Sequence, residues 1–187
     1  MASSNAKSSA LNLTSDFYMQ NFYRSNRKAF KTSTRNDFHK TELSYEDTRA
    51  LKRAISKLGS FSYSDTENGD NIVSSIQAFA KTYNNTIDST SSEDSEVYRK
   101  NKQLKALTEK YGKDLKKIGI TIEKDGKLSV SENVLKGASF DSVKKVFSKE
   151  SDYMVKLTNL SRRMHNSTYE DVYEMMTGCG GRLNITL

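Results

Sequence analysis

A chain of 187 residues has room for one domain or two small ones, and at 35% hydrophobic content it builds a core only where its apolar positions are well patterned. It has no proline, nine glycines and one cysteine, Cys179, which favours long uninterrupted helices and excludes an internal disulfide or a multi-cysteine metal site. The net charge of +7 suits an acidic partner, but the basic residues are dispersed and no nucleic-acid-binding motif accompanies them, which argues against nucleic acid.

Residues 1–41 mix Phe17, Tyr18, Phe22, Tyr23, Phe30 and Phe38 with Asn, Ser, Thr and basic residues, without a sustained period. They read as a flexible or loosely ordered N-terminal arm whose aromatics pack on the helices that come after it, the alternative being a segment that orders on binding a partner. The first 15 residues lack the apolar block of a Sec-type signal peptide, and no apolar run is long enough to span a membrane. Ser44 suggests a helix N-cap, with Glu46 and Asp47 in the first turn. Leu51, Ala54, Ile55 and Leu58 then share one helical face, and Gly59 stops the helix.

Residues 70–88 place Ile72, Val73, Ile76, Phe79, Ala80, Tyr83 and Ile87 at steps of three and four, a continuous helical stripe. A polar turn at 89–92 leads into a third helix, opened by Glu93, Asp94 and Glu96 and closed by Lys110, Lys113, Lys116 and Lys117 in the sense that the helix dipole favours. Val97, Leu104, Leu107, Tyr111, Leu115 and Ile118 form its inner face. The second and third helices are expected to pair as an antiparallel hairpin.

After Gly119 the period changes to two. A two-residue turn at Asp125-Gly126 would set Ile122 against Ser129 and mix apolar with polar side chains on each face. A three-residue loop with Gly126 left-handed instead pairs Ile122 with Leu128 and Ile120 with Val130, which sorts the faces and predicts that register. A short helical turn over 131–137 comes next, with Val134 and Leu135 expected inward. A fourth long helix over 140–165 carries Val143, Val146, Phe147, Met154, Leu157, Leu160 and Met164. Residues 169–176 extend it, the glycines at 178–181 end it, and 183–187 form a short apolar tail.

The fold expected is mainly α: an elongated antiparallel bundle of about four long helices with one small β-hairpin near residues 120–130. A helical domain over 42–176 lies between the arm and a tail at 177–187.

The run Leu115-Lys116-Lys117-Ile118-Gly119-Ile120-Thr121, then Asp125-Gly126-Lys127-Leu128-Ser129-Val130, then Val134-Leu135 and Val143-Lys144-Lys145-Val146-Phe147 resembles the C-terminal helical region of bacterial flagellar filament-capping (hook-associated) proteins. Upstream, the stretch from Ile76 to Asp88, with Tyr83-Asn84-Asn85 and Ile87-Asp88, resembles a helix of the same family. The likeness covers roughly residues 70–160. It lacks that family's large β-rich domains and long terminal helices, so it implies a short stand-alone relative. It further implies a bacterial protein of the flagellum, concerned with motility or cell adhesion, exported with the flagellum or else cytoplasmic.

No constellation of catalytic groups stands out. His39 and His165 are far apart, neither pairs with Cys179 in a recognised signature, and the Gly-rich stretch around Cys179 lacks the Lys-Ser/Thr ending of a phosphate loop. Asp65, Glu67, Asn68 and Asp70 have the wrong spacing for a calcium loop and read as capping of the next helix. The expectation is a non-enzymatic protein without cofactor or metal, binding protein partners, flagellar components or itself, by helix packing of coiled-coil type. Ile76, Phe79, Tyr83, Leu104, Leu107, Tyr111, Val143, Phe147 and Met154 are the candidate packing residues, beside the hairpin residues Ile120, Ile122, Gly126, Leu128 and Val130. The alternative is a cytoplasmic basic regulator that binds nucleic acid or an acidic partner through the lysines of the third helix.

Overall fold

A computed structural model describes residue 35 and residues 38–64, 69–91 and 96–180, with side chains in the last helix as far as Thr177. Most of the predicted arm, the acidic residues at 65, 67, 93 and 94, the side chain of Cys179 and the tail at 183–187 lie outside the described residues. The chain divides into two units, residues 1–39 and 40–187.

The second unit runs in order through α1 (Lys40–Leu58), α2 (Gly69–Ser89), α3 (Glu96–Lys110), α4 (Gly112–Lys117), β1 (Ile120–Ile122), β2 (Leu128–Val130), α5 (Glu132–Lys136), α6 (Phe140–Phe147) and α7 (Asp152–Gly180). The fold is mainly helical with one two-stranded antiparallel sheet, as the periodicities predict.

Four helices form an antiparallel set. The start of α1 meets the end of α2, where Ser44 Oγ donates to the Ser89 carbonyl at 2.6 Å and Thr86 Oγ1 to the Asp47 carbonyl at 3.2 Å. It also meets the far half of α7, through the buried Thr48–Thr168 hydroxyl pair at 2.8 Å and the Tyr45 ring 5.0 Å from His165. α3 runs against α7 through Lys100 Nζ on Ser167 Oγ at 2.7 Å and Thr108 on the Tyr153 hydroxyl at 3.3 Å, and just past its end Tyr111 bonds Asp152.

Several expectations change. Ser44 is no N-cap: α1 already begins at Lys40, and Ser44 is a buried helical residue whose hydroxyl ties α1 to α2. α2 and α3 do run antiparallel and meet where Asn101 donates to the Ile87 carbonyl (2.9 Å) and to Thr90 Oγ1 (2.8 Å). Their close packing partners, however, are α1 for α2 and α7 for α3, because β2 and α5 also lie against α2. The predicted third helix breaks at Tyr111 (φ −100°, ψ 9°), ahead of Gly112, where the Ile122 side chain stands 3.3 Å from the place a Cβ would occupy.

The predicted fourth helix is two. Ser148 is extended (φ −65°, ψ 149°), and Ser151 Oγ accepts the Met154 amide at 3.2 Å, starting α7 with its own cap. Val134, expected inward, is 49% exposed, whereas Leu135 is buried. Past Ser151 the helix continues through residues 169–176, as the sequence suggests, and runs on to Gly180, beyond the expected start of the tail at 177.

The hairpin has the register derived from face sorting: Ile120 opposite Val130, Thr121 opposite Ser129, Ile122 opposite Leu128. Glu123 N donates to Lys127 O at 2.8 Å, Gly126 N donates to Glu123 O at 2.9 Å, and Gly126 has φ +85°, the left-handed residue that a three-residue loop needs. The aromatic centre of the core joins Phe79 to Phe147 at 5.7 Å and Phe147 to Tyr153 at 6.4 Å, so α2, α6 and α7 share one interior.

Candidate interaction surfaces

The predicted packing residues sit in this interior. Ile76, Phe79, Tyr83, Leu104 and Phe147 are wholly buried, Val143 and Met154 nearly so, and Leu107 and Tyr111 are partly buried against them. In this chain they pack on one another, because the stripes of α2, α3, α6 and α7 converge on a single core. That corrects their expected role as a face offered to a partner. Burial pushes the Tyr83 hydroxyl up to about 12 and raises that of Tyr153 further, so both stay neutral at ordinary pH.

Among the hairpin residues, Ile120 and Leu128 are buried while Ile122 and Val130 cover the edge of the same core. The hairpin is tied to α2 by one side chain that periodicity does not single out. Asn84 Nδ2 donates to the Leu128 carbonyl at 2.8 Å and its Oδ1 accepts the Leu128 amide at 2.8 Å, so the amide side chain stands in for a third strand. Lys127 reaches Asp88 at 2.9 Å beside it, and Lys105 lies across Gly126 and donates to the Asp125 carbonyl at 2.8 Å. Gly119 (φ +82°) turns α4 into β1 in contact with Ser131 and Val134.

Two charged regions flank α7. On the α1 side, His165 has a buried Nδ1 without a hydrogen-bond partner among the described residues, and its imidazole is pushed down to about 4, first by burial and then by Lys52, Arg49 and Arg53. On the α3 side, the Asp171 carboxyl is held above the usual range by partial burial and by Glu174, Glu170 and Glu96. A half-open cavity of about 380 Å³ lies between the start of α2 and α5–α6, lined by Ile72, Val73, Leu135, Phe140 and Val143 with Asp70 and Lys136 at its polar edge. No group of three or more His, Cys, Asp or Glu among the described residues could hold a metal, and none of their helices is long and apolar enough to cross a membrane.

These features define a class no finer than a mainly helical bundle with an inserted β-hairpin. Comparison with protein-family models, with curated proteins and with solved structures finds no match for the chain.

Proposed function

We propose that the chain is a non-enzymatic structural protein, a flagellar cap-like accessory that binds other chains by helix packing. One observation carries the reading. The two stretches that resemble filament-capping proteins, the helix around Asn84 and the hairpin around Leu128, lie 44 residues apart and are joined by the paired hydrogen bonds of Asn84. That the two stretches pack against each other supports reading them as one unit rather than as scattered similarities. On this reading the protein works at the flagellum of a bacterium, reaches it by flagellar export, and contributes to motility.

The alternative, a basic face on the third helix for nucleic acid or an acidic partner, is weakened by how its lysines are used. Lys100 pairs with Glu96 and Ser167, Lys105 bonds the hairpin, and Lys117 pairs with Asp114 at 2.9 Å, so the stretch is not a bare cationic strip. Affinity capture from a motile culture of the source species tests the proposal. Recovery of flagellar components that survives moderate salt supports it, and recovery of nucleic acid lost on raising salt favours the alternative.

A further inference from the structure

The buried side of α7 is formed by Tyr153, Met154, Leu157, Leu160, Ser161, Met164, Thr168 and Val172. The opposite side carries Val155, Asn159, Arg162, Asn166, Glu170 and Tyr173, all exposed and all within one narrow stripe at 100° per residue. Val155 (46% exposed) and Tyr173 (39%) are two of the three large exposed hydrophobic residues among those described, and they stand towards opposite ends of the stripe. Between them the charge changes sign, from Arg162 to Glu170. These two residues are about 12 Å apart along the helix axis, too far for the three- or four-residue spacing at which helical ion pairs form. Arg162 bonds only its neighbour Asn159, at 3.3 Å, and neither Arg162 nor Glu170 makes a salt bridge among the described residues.

We infer that this stripe docks against the same stripe of a second copy of the chain, antiparallel, about a twofold axis through Asn166. Arg162 of each copy then faces Glu170 of the other, Asn159 faces Tyr173, Val155 faces Thr177, and the two Asn166 amides meet, where each can donate and accept. The charge order selects the arrangement. A parallel pairing sets Arg162 on Arg162 and Glu170 on Glu170, whereas the antiparallel one satisfies both pairs by symmetry. The contact is mostly polar, with apolar residues only towards its ends, so the dimer is dissociable and weakened by salt. The inference rests on reading the chain as an interaction protein and specifies one partner for it, itself.

The test is sedimentation equilibrium of the full chain up to about 1 mM at low and high salt. Wild type is expected to dimerise reversibly, and Arg162→Glu or Glu170→Arg each to raise the dissociation constant about tenfold, since one substitution alters both symmetric pairs. The double variant R162E/E170R returns to within about threefold of wild type, and an equimolar mixture of the single variants dimerises about tenfold more tightly than either variant alone. All these positions are exposed, and circular dichroism checks that the variants stay folded. A wild type that remains monomeric, single variants that dimerise unchanged, or a mixture that fails to associate overturns the inference. If wild type is monomeric yet R162E abolishes capture of another chain from cell extract, the face belongs to that partner and only the self-docking is lost.

Discussion

Replacing Asn84 by Ala removes its two hydrogen bonds between α2 and the hairpin, leaving the Leu128 amide and carbonyl unpaired and the Lys127–Asp88 ion pair in place. Leu128 is 5% exposed, so water reaches those groups poorly, while Asn84 itself is only partly buried. A lost neutral hydrogen bond costs about 0.5–1.5 kcal/mol, and a buried group left unsatisfied about 1–3 kcal/mol. With partial access of water we expect a total of about 2–3 kcal/mol, which for a domain of this size lowers the midpoint of thermal unfolding by about 4–12 °C. Asn84→Asp keeps the acceptor for the Leu128 amide but turns a second acceptor towards its carbonyl, so it is expected to cost at least as much as Asn84→Ala. Asn85 is partly buried without a bond of this kind, and Asn85→Ala is expected to stay within about 0.5 kcal/mol of wild type. Urea unfolding supplies the free energies, and hydrogen exchange at the Leu128 amide reports the local opening. Equal midpoints for the Asn84→Ala and Asn85→Ala variants, with Leu128 still protected, would refute the clamp.

Gly126→Ala keeps the hairpin but forces an L side chain to φ +85° against the flexible Lys105 stem, an expected loss of about 1–2 kcal/mol in urea unfolding. Gly119→Ala should cost more, about 3 kcal/mol or above, because its Cβ would stand 2.9 Å from Val134 Cβ and 3.0 Å from the Ser131 carbonyl. Thr48→Val and Thr168→Val each break the same buried hydroxyl pair, so their double variant should lose clearly less than the sum of the singles in a double-mutant cycle. His165 is neutral in the folded chain down to about pH 4 but binds a proton in the unfolded chain below about 6.5. Its contribution is therefore complete above about pH 6.5 and is lost as pH falls from there towards 4. His165→Gln should flatten that part of the stability profile, and a profile unchanged by the substitution would contradict the burial of the neutral ring.

The parts of the fold legible in the sequence are those fixed by local periodicity. The α2 stripe needs only steps of three and four, and the hairpin register comes from keeping Ile120, Ile122, Leu128 and Val130 on one side. What escaped depends on residues distant in sequence. Ser44 looks like a cap, yet it serves as a buried tie to Ser89, because α1 extends back to Lys40 to cover the end of α2. The break at Tyr111 falls beside Gly112, where the side chain of the distant Ile122 comes close, a neighbour that no window around Gly112 reveals. The division between α6 and α7 did leave a trace, since Ser151 before Asp152 is an N-terminal signal, but the apolar spacing from Val143 to Met154 runs across it. Phe79, Leu104 and the other apolar residues expected to meet a partner are core, since periodicity gives the buried face of a helix without saying what buries it. The outer face of α7 is not legible in this way, because its pattern is one of charge and position rather than of hydrophobicity.

On the proposed function, this chain acts by assembling with flagellar components. The most direct test is co-sedimentation of the purified protein with flagellar filaments sheared from its source species, at about 0.15 M salt. Saturable appearance of the protein in the filament pellet is expected, and a protein that stays in the supernatant at every filament concentration would contradict the proposal.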